Sequence, residues 1–359
     1  MPLLRVVVVG AGLVGLSTAD ALRARGADVT VIDARDGPVR GASHSNSGML
    51  HPSQFRPWAG GPLLPGAGDD AALAVRDLAR ASAAPLQRRM RALGLNDDLS
   101  RPVGCYQLFD TLEGARLAQA QFSRDGVRAN VVIDEARTFG RPALYFPNDR
   151  SADAKTYGEA LARDLEARGV TFIYGAGDLR LRRQDNGTVA LALGAHRFLA
   201  DHVVVAAGAQ TPELLAPLGM SARITPVRGW AVDFALPTDV ILPPVPVMDS
   251  ASRSALTVFP DRFRLSGTWG QDSARPLLER WATIMPAVLA GAGKPLSVWS
   301  GLRPVSDAGR PFIGATPVPG LWINAGHGHL GWTLCAGSGE MLAEAMMDGK
   351  PDARFAFQG

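Results

Sequence analysis

The N-terminal stretch changes its hydrophobic pattern twice within about thirty residues. Four consecutive valines at positions 6–9 form an apolar run typical of a buried strand. Gly10-Ala11-Gly12-Leu13-Val14-Gly15 follows, then apolar residues at helical spacing, then a second apolar run that ends at Asp33. The pattern predicts a strand, a glycine turn, a helix and a second strand, which together form a βαβ unit.

The glycine turn of this unit is suited to a nucleotide. The first glycine permits a tight turn, the second lets backbone N–H groups approach a pyrophosphate, and the third allows close helix–strand packing. The helix N-terminus adds the positive end of its dipole. Asp33 stands where a carboxylate accepts hydrogen bonds from ribose hydroxyls. We interpret residues 5–33 as a nucleotide-binding unit; the alternative is a glycine turn followed by a solvated aspartate.

The residues after Asp33 are irregular and then helical. Positions 37–50 are rich in turn formers, and the short polar side chains of Ser43, Asn46 and Ser47 precede an apolar pair at 49–50. This loop is either a surface linker or part of the nucleotide site. Apolar residues at helical spacing predict a helix over 69–93 and another from 110 onward. A short strand is predicted between them, at 105–109.

A second α/β stretch begins near residue 152. We predict a helix over 155–168, capped by Gly169, and a strand at 170–174. Two more strands flank the turn at 185–187. The run at 202–209 is apolar and ends at a glycine, which predicts a buried parallel strand that returns to the first sheet.

Residues 223–270 are strand-like with proline-rich breaks. Within them, alternation places Arg262 and Arg264 on one strand face, which we interpret as a solvated arginine face. A helix is predicted over about 280–290. A strand at 321–324, a glycine turn at 326–333 and a small-residue helix through about Met347 then give a second helix N-terminus able to accept an anion.

Composition narrows the class of protein. A chain of 359 residues predicts two domains. The formal charge of +3, without a basic run, argues against nucleic acid. Two cysteines, Cys105 and Cys335, are too few for an iron–sulfur cluster or a tetrahedral zinc site, and we expect two thiols and no metal. No apolar run has the length of a transmembrane helix and no signal pattern is present, so we expect a cytoplasmic protein, with attachment to the inner-membrane surface as an alternative.

Motifs spread along the whole chain resemble the FAD-dependent D-amino acid oxidase/dehydrogenase superfamily. They are GAGLVG with Asp33, ASHSNSGML, DHVVVAAGA, PVRGW, SGLRPVSDAGRPFIG and GHGHLGWTLCAGSGEMLAE. Members of this superfamily include bacterial D-amino acid dehydrogenase, glycine oxidase and the catalytic subunit of D-hydroxyproline dehydrogenase. The resemblance implies an α/β, two-domain fold: a glutathione-reductase-like, Rossmann-type FAD domain (1–80, 148–219 and 300–359) interleaved with a β-sheet substrate domain (81–147 and 220–299).

The resemblance also implies where FAD binds. The pyrophosphate contacts the first glycine turn, the ribose contacts Asp33, and other segments line the flavin or the adenine side. The implied cofactor residues are Gly10, Ala11, Gly12, Leu13, Val14, Gly15, Asp33, Ala34, Arg35, Ala42, Ser43, Asn46, Ser47, Gly48, Met49, Leu50, Asp178, Ala207, Gly208, His327, Gly328, His329, Leu330, Gly331, Trp332 and Thr333.

The implied reaction is hydride transfer from an amino acid to the flavin, which needs no catalytic side chain. Arg303 is the candidate to bind the substrate carboxylate, because a guanidinium matches a carboxylate bidentately. From position alone, Arg303 pairing with Asp307 in a surface turn is an equal alternative. His329 is a second candidate substrate contact or a packing residue. His44 and His51 lie close to the flavin loop and receive no role.

The mode of FAD attachment and the electron acceptor are inferred from residues that some relatives carry and this sequence lacks. Relatives that bind FAD covalently use a histidine at the position of Ser45 or a cysteine near Gly301, so we expect non-covalent FAD. None of the three lysines lies in a flavin motif, which favours a dehydrogenase that passes electrons to a quinone or a partner subunit over an oxygen-using oxidase. A NAD-dependent dehydrogenase built on the same βαβ unit is a competing hypothesis, and a non-catalytic FAD-binding subunit is another.

Overall fold

The computed structural model describes residues 3–56, 68–96, 101–185, 187–194, 196–198 and 200–358. Asn186, at the centre of the predicted turn, lies outside these ranges. The described α-helices are α1 (Leu13–Ala24), α2 (Asp69–Ala92), α3 (Leu112–Arg124), α4 (Glu135–Thr138), α5 (Ala154–Ala167), α6 (Thr211–Leu215), α7 (Arg275–Ile284), α8 (Pro286–Gly291) and α9 (Gly331–Met347).

The described strands run along the whole chain. They are β1 (Arg5–Val9), β2 (Asp28–Ile32), β3 (Met49–Leu50), β4 (Cys105–Leu108), β5 (Asn130–Ile133), β6 (Pro142–Phe146), β7 (Arg150–Ser151), β8 (Thr171–Ile173), β9 (Leu179–Arg183), β10 (Val189–Leu193), β11 (His196–Phe198), β12 (His202–Val205), β13 (Ile224–Phe234), β14 (Val247–Asp249), β15 (Ser254–Val258), β16 (Phe263–Gly267), β17 (Ser297–Ser306), β18 (Phe312–Ala315) and β19 (Leu321–Ala325).

A six-stranded sheet in the order β18-β19-β12-β1-β2-β8 carries the predicted nucleotide unit. β1 pairs in parallel with β2 on one side and with β12 on the other, so the strand predicted at 202–209 does return beside the first. Helices α1 and α9 pack against one face of this sheet, and α2 and α5 join the same apolar core by packing on those two helices. β19 lies next to β12, which brings the ends of the two glycine-turn strands to one edge of the sheet.

The second large sheet has eight strands, in the order β17-β13-β16-β15-β14-β4-β6-β5. Its strands come from two separate parts of the chain, 105–146 and 224–306, so its residues are interleaved with those of the first sheet. The domain boundary expected at residue 300 falls inside β17, which pairs with β13 over its whole length. The rest of the predicted domain division stays a prediction.

Two local expectations are wrong. The single helix predicted at 280–290 is two helices, because Met285 leaves the helical region (φ −136°, ψ 63°) before Pro286, as residues that precede proline tend to do. The face of β16 that carries Arg264 is buried, with Arg264 only 5 % exposed. The Arg264 side chain contacts the loop at 42–49 and is not exposed to solvent.

Three checks cover the described ranges only. None of their helices combines the length and the apolar character that a bilayer span requires. No group of three potential metal ligands among these residues is placed to hold an ion. Cys105 and Cys335 are both buried free thiols.

Candidate active site

One cavity of about 930 Å³ runs from the carboxyl ends of the parallel strands to the face of the eight-stranded sheet. Gly10, Asp33, Ala206 and Gly326, which follow β1, β2, β12 and β19, line one end. Residues of β13, β16 and β17 line the other end. The cavity lies where ligands bind in open parallel sheets, and its volume is at the upper end of the range of small-molecule and cofactor sites.

The first glycine turn has the geometry expected of it. Gly10 adopts φ +116°, and a Cβ there would lie closer than 3.0 Å to the carbonyl group of Ala206. A Cβ at Gly15 would collide in the same way with the carbonyl of Gly10. α1 begins directly after Gly12 without a side-chain cap, and the Leu13 N–H points to Ser43 Oγ at 3.2 Å. Gly10, Gly12 and Val14 line the cavity, so the backbone of the turn and the helix N-terminus border it.

Asp33 anchors this turn. One carboxylate oxygen accepts the Ala11 N–H at 2.7 Å and the other accepts the Arg35 N–H at 2.8 Å. A carboxylate has about four acceptor sites, so each oxygen retains capacity for a further donor such as a ribose hydroxyl. The alternative of a merely solvated aspartate does not fit these two backbone hydrogen bonds.

The loop at 42–49 is held from the eight-stranded sheet. Arg264 donates to both carboxylate oxygens of Asp233, at 2.6 and 2.8 Å, and its third nitrogen donates to the Asn46 carbonyl at 2.9 Å. Thr257 Oγ1 donates to the Ser47 carbonyl at 2.7 Å. The predicted solvated arginine face is thus buried: its Arg264–Asp233 ion pair lies within the eight-stranded sheet, and Arg264 reaches the loop through the Asn46 carbonyl. Arg262 also pairs with Asp233 and with Asp153.

The second glycine turn lies against β17. Gly326 and Gly328 have φ values of +87° and +57°, and α9 begins at Gly331 without a side-chain cap. The Gly328 N–H donates to the Pro304 carbonyl at 2.8 Å, and His327 forms a β-bridge with Val305. This second helix N-terminus therefore lies next to the strand segment that carries Arg303.

Arg303 lies in the cavity wall, where it is partly buried. Its Nη1 and Nη2 donate to the carbonyls of Thr268 at 2.9 Å and Gly267 at 3.2 Å. Burial lowers the pKa of its guanidinium to about 10, so the group remains a cation at neutral pH. Asp307 instead pairs with Arg223 at 2.9 Å. The surface-turn alternative for Arg303 is therefore wrong.

Three histidines beside Arg303 are neutral. Burial lowers the pKa of His327 and His329 to about 3 and that of His51 to about 4. His329 Nε2 lies 3.3 Å from the Gln54 carbonyl, and since a carbonyl only accepts, this nitrogen carries the proton. The His51 and His329 rings meet edge to face at 6.0 Å.

Polar atoms in the cavity wall fit a large polar cofactor. Within the described residues, six buried side-chain atoms that belong to lining residues have no hydrogen-bond partner: His51 Nδ1, Ser266 Oγ, Trp299 Nε1, Asn324 Oδ1, His327 Nε2 and Trp332 Nε1. Buried polar groups are normally satisfied, so six such atoms around one cavity indicate a ligand that supplies donors and acceptors. Together with the two helix N-termini, they match the mixed phosphate, ribose and ring chemistry of FAD.

Most residues predicted from the sequence come together here. Those that line the cavity are Gly10, Gly12, Leu13, Val14, Asp33, Ala34, Arg35, Ala42, Ser43, Asn46, Ser47, Met49, Ala207, Gly208, Arg303, His327, Gly328, His329, Gly331 and Trp332. Those outside its lining are Ala11, Gly15, Gly48, Leu50, Asp178, Leu330 and Thr333. Asp178 is exposed, while its neighbours Gly177 and Leu179 line the wall.

Sequence reasoning missed a chain of polar side chains in the cavity wall. Gln54 Nε2 donates to Gln107 Oε1 at 3.0 Å, and Gln107 Nε2 donates to Ser250 Oγ at 2.8 Å. All three residues line the cavity but come from distant parts of the chain. The one available signal was Gln107 itself, a polar residue within an apolar strand.

Comparison with known proteins identifies the family. The sequence profile described as FAD dependent oxidoreductase (DAO) matches residues 5–345. A D-amino acid dehydrogenase of Cereibacter sphaeroides is 32 % identical, over 97 % of this chain and 92 % of the relative. One of Azorhizobium caulinodans is 29 % identical, over 97 % of each.

Solved structures agree with this result. An iminodiacetate oxidase from Chelativorans sp. BNC1 superposes with a TM-score of 0.79 at 25 % identity, over 98 % of both chains. The glycine oxidase of Geobacillus kaustophilus has the same fold, with a TM-score of 0.79 at 22 % identity over 97 % of this chain and 96 % of that one. The NAD-dependent hypothesis is replaced by this match, and FAD is the cofactor. The chain belongs to the DAO family of FAD-dependent oxidoreductases.

Proposed function

We propose that the protein oxidises a D-amino acid, or a small cyclic or secondary amino acid, to the corresponding imino acid. The observation that carries this proposal is the partly buried cation of Arg303, which lines the same cavity as both glycine turns. An α-amino acid always brings a carboxylate, and a planar guanidinium binds a carboxylate in two parallel hydrogen bonds. The names of the two curated relatives support the D-configuration.

The surroundings of Arg303 suit an amine that must lose its proton before it is oxidised. FAD, when bound, supplies the acceptor for the hydride on the substrate carbon that bears the amine. The cationic Arg303 and the burial of the cavity both lower the pKa of a bound ammonium group, which favours the neutral amine. The neutral histidines 51, 327 and 329 add no charge. Gln54, Gln107 and Ser250 offer hydrogen bonds to the rest of the substrate.

For the acceptor we propose a quinone or a partner subunit, with an oxygen-using oxidase as the second candidate. Lys155, Lys294 and Lys350 all lie outside the cavity lining, so no lysine is placed there to promote reaction with oxygen. The similarity to the iminodiacetate oxidase is the observation that favours the second candidate. We also propose that FAD is bound non-covalently, because Ser45 stands where some relatives carry the attaching histidine and there is no cysteine near Gly301, where others attach FAD through cysteine.

Anaerobic reduction of the bound flavin tests the proposal. The purified protein is mixed with D- and L-amino acids, proline-like secondary amino acids, iminodiacetate and amines without a carboxylate, and the loss of visible flavin absorbance is followed. We expect reduction by at least one D- or secondary amino acid and much slower reduction by the amines. Reoxidation by a quinone analogue faster than by oxygen supports the dehydrogenase. Failure of the whole panel would support the non-catalytic subunit.

Acid precipitation tests the attachment. We expect the yellow colour in the supernatant, and colour that stays in the protein pellet would contradict non-covalent binding.

A further inference from the structure

Two glycines face each other in the ladder that joins β13 and β17. Gly229 pairs with Gly301, and the neighbouring pair on the same face is Val227 with Arg303. Residues two apart in a strand share a face, so the Arg303 side chain and both glycines lie on one side of the sheet. The two glycines border different parts of the cavity.

Gly229 leaves the space that the Arg303 guanidinium fills. A Cβ on Gly229 would lie closer than 3.0 Å to Nη1, Nη2 and Cζ of Arg303, a separation that real Cβ atoms essentially never show. The guanidinium therefore rests directly on the backbone of β13, while the carbonyls of Gly267 and Thr268 hold it by two hydrogen bonds. Thr268 has φ +63°, an unfavourable value for a β-branched residue. The backbone thus fixes the plane of the guanidinium.

Gly301 borders the flavin loop instead. A Cβ on Gly301 would approach the Cα of Ala42 to 3.2 Å, which is a backbone atom and not the end of a flexible side chain. Gly301 therefore sets how closely the loop at 42–49 approaches β17.

We propose that Gly229 is a positioning residue for substrate binding: its missing side chain lets Arg303 lie flat on β13, in the plane that receives the substrate carboxylate. This inference rests on the proposed function, because it assigns the carboxylate to Arg303. The group that an added Cβ meets is the flexible end of a side chain, and Gly229 does not adopt a left-handed φ. Gly229→Ala therefore leaves the strand intact and displaces Arg303.

The test compares three glycine-to-alanine variants as FAD-loaded proteins. For Gly229→Ala we expect KM for the amino acid, and the Kd of a simple carboxylate such as acetate measured from the flavin spectrum, to rise roughly ten- to a hundredfold, the equivalent of one charge-assisted interaction. Its melting temperature and Kd for FAD should stay near wild type. Gly301→Ala should raise the Kd for FAD instead. Gly291→Ala is the neutral control, since no described atom lies within 4 Å of the added Cβ.

A double variant separates this inference from the proposed function. If Gly229 acts through Arg303, Gly229→Ala adds no further loss to Arg303→Ala. Wild-type KM in Gly229→Ala alongside a damaged Arg303→Ala would overturn the inference and leave the proposed function standing. An equal added loss in the Arg303→Ala background would also overturn it. If Arg303→Ala itself binds the amino acid and acetate normally, the proposed function fails instead.

Discussion

The two ends of the cavity are built in different ways. At the cofactor end, short contiguous motifs form the site: the residues from Gly10 to Gly15 supply the turn, and Asp33 stands at the end of the next strand. At the substrate end, single residues from distant segments converge, as in the chain of Gln54, Gln107 and Ser250. The cofactor end depends on local backbone geometry, whereas the substrate end depends on how two sheets pack.

The contact between the two ends gives the largest expected effect. Arg264→Ala leaves Asp233 largely buried without its bidentate partner and frees the Asn46 carbonyl. Loss of one member of a buried ion pair costs about 3–5 kcal/mol of unfolding free energy. Urea unfolding of the holoprotein measures this change in unfolding free energy. Arg275→Ala is the control, because the Arg275–Glu279 pair is exposed. Equal costs for the two variants would mean that the buried Arg264–Asp233 pair contributes no more to stability than an exposed pair.

Arg303→Ala should act on the substrate end alone. Truncating one member of a buried charge pair costs roughly 2–5 kcal/mol, which corresponds to a fall in kcat/KM of roughly thirty- to several-thousand-fold. Arg303→Lys should recover only part, because a point charge does not reproduce the two-pronged geometry. FAD content and the flavin spectrum should stay near wild type, and a loss of FAD would place Arg303 in the cofactor end.

Asp33→Ala should act on the cofactor end alone. The substitution removes the acceptor of the Ala11 and Arg35 N–H groups and of the proposed ribose hydroxyls. A hydrogen bond to a charged group contributes roughly 1.5–3 kcal/mol, so we expect the Kd for FAD to rise by at least about tenfold. Titration of the apoprotein with FAD measures this Kd. Asp36→Ala, whose side chain is 89 % exposed, is the matched control, and equal Kd values for the two variants would contradict the role of Asp33.

The stability of the protein should also depend on pH. Burial raises the pKa of Asp149 to about 7, although hydrogen bonds from Ser53 oppose the shift. Because the folded pKa lies above that of the unfolded chain, the stabilisation is complete below about pH 4 and is lost as the pH rises toward 7. The slope is at most about 1.4 kcal/mol per pH unit. Asp149→Asn should remove this slope in urea unfolding between pH 4.5 and 7.5, and an unchanged slope would exclude Asp149 as its source.

The cofactor end is more predictable from the sequence than the substrate end for a physical reason. A glycine turn requires glycine at fixed spacing, and a parallel strand buried on both faces is a continuous apolar run, so both are visible locally. Alternation in a strand identifies two faces but not what covers each face. The arginine face of β16 is therefore expected in solvent, although it packs on the loop at 42–49. In the same way, PVRGW is recognisable as a motif, but only the register of β13 and β17 places Gly229 under Arg303.

The central claim is that Arg303 recognises the substrate by its carboxylate, and the anaerobic rate of flavin reduction tests it most directly. Wild type and Arg303→Ala are each mixed with a reactive amino acid and with the amine that lacks its carboxylate. We predict that the substitution slows reduction by the amino acid roughly thirty- to several-thousand-fold at subsaturating substrate and leaves the amine rate near its wild-type value. Equal losses on both compounds would show that Arg303 supports the fold or the flavin, and would contradict the account.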